Sequence, residues 1–511
     1  MRPSNSLIPF SRNPKNEGLT PPPGTRTRTY PHSLAGHAGM PVSCLTLVMV
    51  FYLREASLRK RYGNRRMAWA HPEDKRQGGE MRRGVFLAVV LVASAALCGL
   101  QGGHGVALGS GGVYRHDVVN RLQGLISANS WESAFDEAIR NAQSYDVYDF
   151  PDLQDWDDYT GYLGWLDDLL EWVPTQAGDS RNVYEMIVRF YFILDQPPVK
   201  DLQSPIRPAD EHSVMLTKLS LWMIDFAKAW GSYLDTPESA VHVKSFKDDP
   251  WFNWDEYMPP PASYLTNPDD DWMAYRTFNQ FFARHVKPGM RPIAGLNDDG
   301  VIVSPADSTF VGWWQISERS DIYVQEQHPL HVKGIQWSIH RLLEGSEYAD
   351  RFRGGIFAHF FLNSFDYHRW HAPVGGRVLE ARVIQGQVYL DVRTQKAIVE
   401  EDGVEKEVTV LTALDGTGYQ FVQTRGLIVI DSPIGLVACL PMGMAQVSSV
   451  VITAEKGVTL HKGEELGYFQ FGGSDFVLVF ERASNVDLTW QPGVHKQQGM
   501  CIGRAYPYGM D

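Results

Sequence analysis

Two groups of residues in this sequence have the types and spacing for chemistry. The first is Gly472-Gly473-Ser474, which interrupts a strand-like apolar stretch over 458–480. Paired interior glycines relax the backbone and let another group approach the carbonyl, so they point to a bulged, accessible peptide bond beside a serine hydroxyl. On spacing alone an ordinary hairpin or bulge explains them better, because glycine and serine are common turn formers. The second group is His368-Arg369-Trp370-His371. Its two imidazoles suit acid–base work, metal ligation or a plain structural role. The intervening glutamate of a helical zinc site is missing and no further ligand cluster lies near in sequence, so no metal is expected. Asp307, after Ser304-Pro305-Ala306, is either a partner for such a histidine or the cap of a turn.

The wording LHKGEELGYFQFGGSDFVLVFE over 460–481 resembles the C-terminal signature of the phosphatidylserine decarboxylase family. Three further segments agree in the same order. They are Phe278-Asn279-Gln280-Phe281-Phe282-Ala283-Arg284 with Arg291-Pro292-Ile293; Ser304-Pro305-Ala306-Asp307; and Tyr367-His368-Arg369-Trp370-His371-Ala372-Pro373. Lys333-Gly334 with Trp337-Ser338 and Leu342-Leu343 adds a weaker match. The resemblance covers roughly residues 275–485, and four ordered motifs are far more specific than one.

The resemblance implies a self-processing carboxy-lyase. Ser474 would attack the Gly473 carbonyl, and the chain would part between 473 and 474 through an ester, leaving a covalent pyruvoyl group made from Ser474. A hydroxyl used in this way needs a base, and the base needs a partner that holds its tautomer; by analogy these are His371 and Asp307. The pyruvoyl group would form a Schiff base with an amine substrate and act as the electron sink on loss of CO2. His368 would then protonate the product. The two chains would be 1–473 and the 38-residue 474–511.

The family implies phosphatidylserine as substrate, phosphatidylethanolamine as product and a membrane surface as partner. Two departures bear on the substrate, and a third stands directly after the serine. Pro373-Val374-Gly375-Gly376 lacks the usual aspartate, Gln446-Val447-Ser448-Ser449 replaces an Asn-Val-Gly-Ser pattern, and Asp475 stands where small or β-branched residues are usual. The wording from Tyr367 to Val374, with the long helical region before it, is similar to a branch that includes fungal tryptophan decarboxylases. A free aromatic amino acid is therefore an alternative substrate. A third reading is a non-catalytic relative that binds lipid or a partner.

The elements that must position these groups read as α+β. Beyond 271 glycine and β-branched residues become frequent and the period shortens, which predicts an antiparallel β-rich barrel or sandwich as the catalytic domain over 271–511. Residues 108–270 read as a helical domain. Tyr162, Trp165, Leu166, Leu169, Leu170, Trp172 and Val173 recur at helical spacing and stop at Pro174; a second helix covers 183–194; a third starts at an N-cap Ser213 and runs through Trp222 and Trp230 to Gly231. Eight of the 15 tryptophans lie between 108 and 270, and at this spacing core packing explains them better than a binding pocket. Pro259-Pro260-Pro261 and Asp269-Asp270-Asp271 mark the linker.

Charge is uneven. Residues 1–83 carry 15 Lys/Arg against 5 Asp/Glu, and the remainder has a net charge of −23, which argues against a nucleic-acid partner. Of the four cysteines only Cys439 and Cys501 lie in the catalytic part, and they are the one pair that disulfide formation there allows. Residues 1–80 read as disordered or targeting sequence, apart from an apolar run over 40–53. Met81-Arg82-Arg83 followed by the uncharged stretch 84–100, with Gly105-Val106-Ala107 as a cleavage candidate, makes 81–107 a signal peptide or membrane anchor. The expected location is a membrane or the secretory pathway, with the mitochondrial inner membrane as the alternative.

Overall fold

Apolar residues at helical spacing build the first described part of the chain, seen here in a computed structural model. It describes residues 114–175, 182–207, 210, 214–248, 252–258, 275–325, 334–401, 404–413, 418–445 and 449–508. Helix α1 (Asp117–Asn129) buries Val118, Val119, Leu122 and Ile126, and α2 (Glu132–Gln143) buries Phe135, Ala138, Ile139 and Ala142. Helix α3 (Tyr159–Leu169) starts at Asp158, whose carboxylate accepts from Thr160 N–H; α4 (Asn182–Leu194) follows. Helix α5 (Lys218–Tyr233) starts at Thr217, whose hydroxyl accepts from Ser220 N–H at 3.2 Å.

The third helix therefore begins later than the expected Ser213, which lies outside the described residues, and it passes through Gly231. The chain before it is held extended instead, with Thr217 N–H donating to the Ser204 hydroxyl. The expected linker around 259–271 also falls outside the described residues, as do 40–53 and 81–107. Among the described residues no helix is long and apolar enough to cross a membrane.

A short helix α6 (Phe278–Phe282) leads into the strands. In chain order these are β1 (Val301–Val303), β2 (Ser308–Gln315), β3 (Asp321–Gln325), β4 (Gly334–Ser338), β5 (Ile356–Phe361), β6 (Arg369–His371), β7 (Gly376–Ile384), β8 (Val392–Glu401) and β9 (Val404–Ala413). There follow β10 (Arg425–Ser432), β11 (Gly435–Gly443), β12 (Val451–Ile452), β13 (Thr459–Leu460), β14 (Glu465–Tyr468), β15 (Gly473–Phe480), β16 (Val486–Leu488), β17 (His495–Lys496) and β18 (Cys501–Ala505). The main sheet has the order β13-β7-β10-β11-β15-β5-β2-β17, and all its ladders are antiparallel.

The fold is α+β, but the expected barrel does not close. The sheet ends at the two-residue strands β13 and β17, which do not pair with each other, and the remaining strands form small separate sheets. Alternation along β15 divides the interior. Phe476, Leu478 and Phe480 join a cluster that also contains Phe190, Trp222 and Trp230 of the helices, whereas Val477 and Val479 join a second cluster with Trp337, Phe357 and Phe421. Helices and one sheet face thus share a core. Polar ties reinforce it: Tyr191 O–H donates to the Val388 carbonyl at 2.8 Å, and Val392 N–H donates to Asp195 at 2.8 Å.

Candidate active site

The motifs that were separate in sequence are tied together by main-chain hydrogen bonds. Strand β6 pairs with β14, placing Trp370 opposite Gly467 and His371 opposite Glu465. His371 N–H donates to the Pro305 carbonyl, Gly463 N–H to Ala372, and Phe469 N–H to His368, at 2.8 to 2.9 Å. Asn279 joins the fourth motif: its Oδ1 accepts from Phe471 N–H at 3.0 Å while its Nδ2 donates to the Gly231 carbonyl of α5.

The segment 469–472 then turns into β15. Gly472 has φ +94°, a left-handed conformation that glycine adopts without a Cβ clash. In the β11–β15 ladder Met442 faces Asp475 and Gly443 faces Gly473, so position 474 is the extra residue of a bulge. The strand irregularity expected from Gly472-Gly473 is present at the peptide bond in question.

His371 is partly buried, and both ring nitrogens have partners. Nδ1 lies 2.9 Å from the Gly463 carbonyl, which can only accept, so Nδ1 carries the proton. Nε2 is then the lone-pair nitrogen and accepts from the Tyr367 hydroxyl at 3.2 Å. Burial holds the imidazole below its usual range; the Gly463 carbonyl and the charges of Glu465 and Asp307 oppose this only in part. The group is a neutral imidazole of one defined tautomer.

His368 is fully buried, its ring 3.8 Å centroid to centroid from Phe282 at an interplanar angle of 24°. Phe282 in turn meets Phe471, which packs edge-on against Trp230 of α5. Burial, with the Arg284 guanidinium nearby, pushes His368 well below the ordinary histidine range, while the carbonyls of Asp366 and Asn363 act the other way. Neither ring nitrogen has a hydrogen-bond partner among the described residues.

Asp307 is placed differently from the expected His371 partner. Its carboxylate receives Arg291 through Nε at 2.9 Å and Nη2 at 2.6 Å, and Gln498 N–H at 2.8 Å. It makes no hydrogen bond to His371 among the described residues and reaches it only through its charge. Arg291 also meets Glu256 at 2.8 Å; burial alone would lower its pKa, but the bonds and charges of Asp307 and Glu256 raise it.

Ser474 is located here by its backbone in β15 alone. Cys439 is buried, Cys501 is exposed, and both are free thiols.

Sequence reasoning assigned no role to four groups that surround these residues. Tyr367 and Arg291 sat inside quoted motifs, so their signal was present. Gly463 acts through a carbonyl, which no side-chain pattern reveals. His495 contacts the buried Asp366 at 2.9 Å, and this bond keeps the imidazole pKa raised although burial alone would lower it. A lone histidine near the C-terminus carries no such signal.

The sequence model described as phosphatidylserine decarboxylase matches residues 278–504, which include Arg291, Asp307, His368, His371, Gly473 and Ser474. Among curated proteins, phosphatidylserine decarboxylase proenzyme 3 of Schizosaccharomyces pombe is 32% identical over 252 residues, 49% of this chain and 22% of that protein. The phosphatidylserine decarboxylase proenzyme of Fusobacterium nucleatum is 30% identical over 276 residues, 53% of this chain and 76% of that protein. Decarboxylase iboD of Amanita muscaria is 30% identical over 271 residues, 49% of this chain and 74% of that protein. The chain thus spans from about a fifth to about a third of the first two curated relatives and about three quarters of others. With the ordered motifs gathered at one bulged strand, and with these matches, the chain belongs to the phosphatidylserine decarboxylase family.

Proposed function

We propose that this chain is a self-processing carboxy-lyase that cuts its own Gly473–Ser474 bond and uses the pyruvoyl group so formed. The observation that carries the proposal is the neutral His371, with Nδ1–H committed to Gly463 and the Nε2 lone pair free to exchange Tyr367 for a serine proton. The Ser474 hydroxyl gives its proton to Nε2 as its oxygen bonds the Gly473 carbonyl carbon. The C–N bond to residue 474 breaks with protonation of the leaving amine, giving an ester. Elimination then releases the Gly473 carboxylate and parts the chain, and water replaces the nitrogen, lost as ammonia, to leave the pyruvoyl group. Asp307, held by Arg291, favours the transient imidazolium by its charge.

The residues present fit a carbonyl group at position 474. His368 is a buried imidazole whose ring nitrogens make no hydrogen bond among the described residues, and its carbonyl accepts from Phe469 N–H at the start of the turn into β15. The pyruvoyl group supplies the electron sink for loss of CO2. His368 is the proposed donor to the product carbon: neutral at rest, it must first take up a proton in the loaded site before passing it on, and the Phe282 ring covers one of its faces.

The leading substrate is phosphatidylserine, giving phosphatidylethanolamine at a membrane surface reached through 81–107. A free aromatic amino acid is the second reading, favoured by one observation. A cavity of about 240 Å³ opens between α5 and the segment before β15, lined by Trp230, Leu234, Asn279, Gln470 and Phe471. Lys228 and Asp235 also line it, and its volume is nearer that of one aromatic side chain than of two acyl chains.

Intact mass under denaturing conditions tests the processing. Two chains, the smaller beginning with a pyruvoyl group at 474, are expected from wild type, and one chain from Ser474→Ala. A single wild-type chain with unmodified serine refutes the proposal. Decarboxylation of phosphatidylserine vesicles against tryptophan then selects the substrate, and His368→Ala should leave a cleaved but inactive protein.

A further inference from the structure

A buried polar cluster directly follows the proposed cleavage bond, on the sheet face that belongs to the second hydrophobic cluster. Asp475 and His359 are 0% and 1% exposed, and Asp475 Oδ1 lies 3.1 Å from His359 Nε2. The Gln420 amide nitrogen, also buried, is 3.3 Å from Asp475 Oδ2 and 3.1 Å from His359 Nε2, and Gly418 N–H donates to Gln420 Oε1 at 2.7 Å. Around them stand Val477, Phe357 and Phe421.

Such a cluster is an expensive way to fill a core. Desolvating a carboxylate and its imidazole partner costs several kcal/mol per ion, roughly, and an apolar pair of the same volume is often as stable or more so. Its position offers a reason beyond stability. Asp475 occupies the last regular rung of β15, opposite Met442 on β11 and Phe361 on β5, and the bulge begins one residue earlier. A strand that starts at two glycines and is apolar on both faces has little in its hydrophobic pattern to fix where a bulge sits, because a one-residue slip only exchanges Phe476, Leu478 and Phe480 with Val477 and Val479 between two apolar clusters. Asp475 cannot slip without leaving an unpaired charge in an apolar core.

We propose that His359 and Asp475, tied by Gln420, are positioning residues for self-cleavage. They pin the rung at 475, so that the extra residue of the ladder is 474 and its peptide bond is the one presented for attack. The proposal rests on the reading of 473–474 as the cleaved bond. It also accounts for an aspartate where the family pattern has a small or β-branched residue. After cleavage the same pair joins the first residue behind the pyruvoyl group to a strand of the long chain.

The test follows appearance of the 38-residue fragment by mass in freshly synthesised chains, at a temperature where near-UV circular dichroism shows each variant folded. Wild type, His359→Gln, His359→Ala and the paired His359→Leu/Asp475→Leu are compared. The paired variant exchanges a charged cluster for an apolar one and should melt no lower than wild type, yet cleave at least about tenfold more slowly, because misplaced reacting atoms cost rate steeply. His359→Gln, which still hydrogen-bonds the carboxylate, should stay within about threefold of wild type, and His359→Ala should fall about tenfold or more. Wild-type cleavage rates in the folded paired variant overturn the proposal. If that variant does not fold, equal rates for His359→Gln and His359→Ala overturn it. A wild-type chain that never cleaves refutes the processing itself, a different outcome from an intact wild-type rate with indifferent variants.

Discussion

The Nδ1–H of His371 donates to the Gly463 carbonyl at 2.9 Å, across 92 residues of sequence. Gly463 has φ +85° and its Cα faces Ile293 so closely that an added Cβ would lie 2.5 Å from Cδ1, so the carbonyl is held by a turn that favours glycine. A main-chain carbonyl, with no titration of its own, therefore sets which nitrogen of the proposed base is free.

The pH dependence of cleavage follows from this. Burial holds His371 below its ordinary value, so the neutral base persists as pH falls through about 6.5. The rate of fragment formation should be flat across that value and decline only at lower pH. A midpoint at or above 7 contradicts the assignment of His371. Tyr367→Phe removes a donor to Nε2 and should retain cleavage, whereas His371→Ala should abolish it.

Removing Arg291 should be more damaging than neutralising Asp307. The pair is buried, with side chains 3% and 5% exposed, and Arg291→Ala strands a carboxylate without its bidentate partner. The expected loss is about 3–5 kcal/mol in urea denaturation. Asp307→Asn leaves Arg291 its contact with Glu256 and should lose less. Equal losses would show that the ion pair is not the dominant interaction there.

Asn279 links the helices to the turn before β15 through Phe471 N–H and the Gly231 carbonyl. Asn279→Ala leaves the buried Phe471 N–H unsatisfied, an expected cost of about 1–3 kcal/mol, and removes a donor from the partly buried Gly231 carbonyl, which costs less. Melting temperature and fragment formation should fall together. A lowered melting temperature with unchanged cleavage would separate the helical region from processing.

Asp195, where α4 meets β8, gives a stability effect of opposite sign to the usual carboxylate. Burial raises it to about 7, opposed by Lys200 and by Val392 N–H. Its folded value exceeds the unfolded one, so its contribution is complete below about pH 4 and is lost as pH rises through 7. Asp195→Asn should gain on wild type between pH 5 and pH 8 in parallel urea titrations. A constant difference across that range means the carboxyl is not shifted.

The order of the amino acids carries local information. Helical spacing placed 183–194 within a residue of α4, and Gly472-Gly473 announced the irregularity in β15, because periodicity and glycine act over neighbouring residues. The ordered motifs likewise carried the family, and with it Asp307, His368, His371 and Ser474 as candidates. Tertiary structure alone decided who partners whom. Asp307 belongs to Arg291, His371 to Gly463 and Tyr367, and Asp475 to His359, through contacts made when strands far apart in the chain become neighbours. It also decided that the sheet ends in two short edges rather than closing, since closure depends on which strands meet and not on how any one of them is patterned.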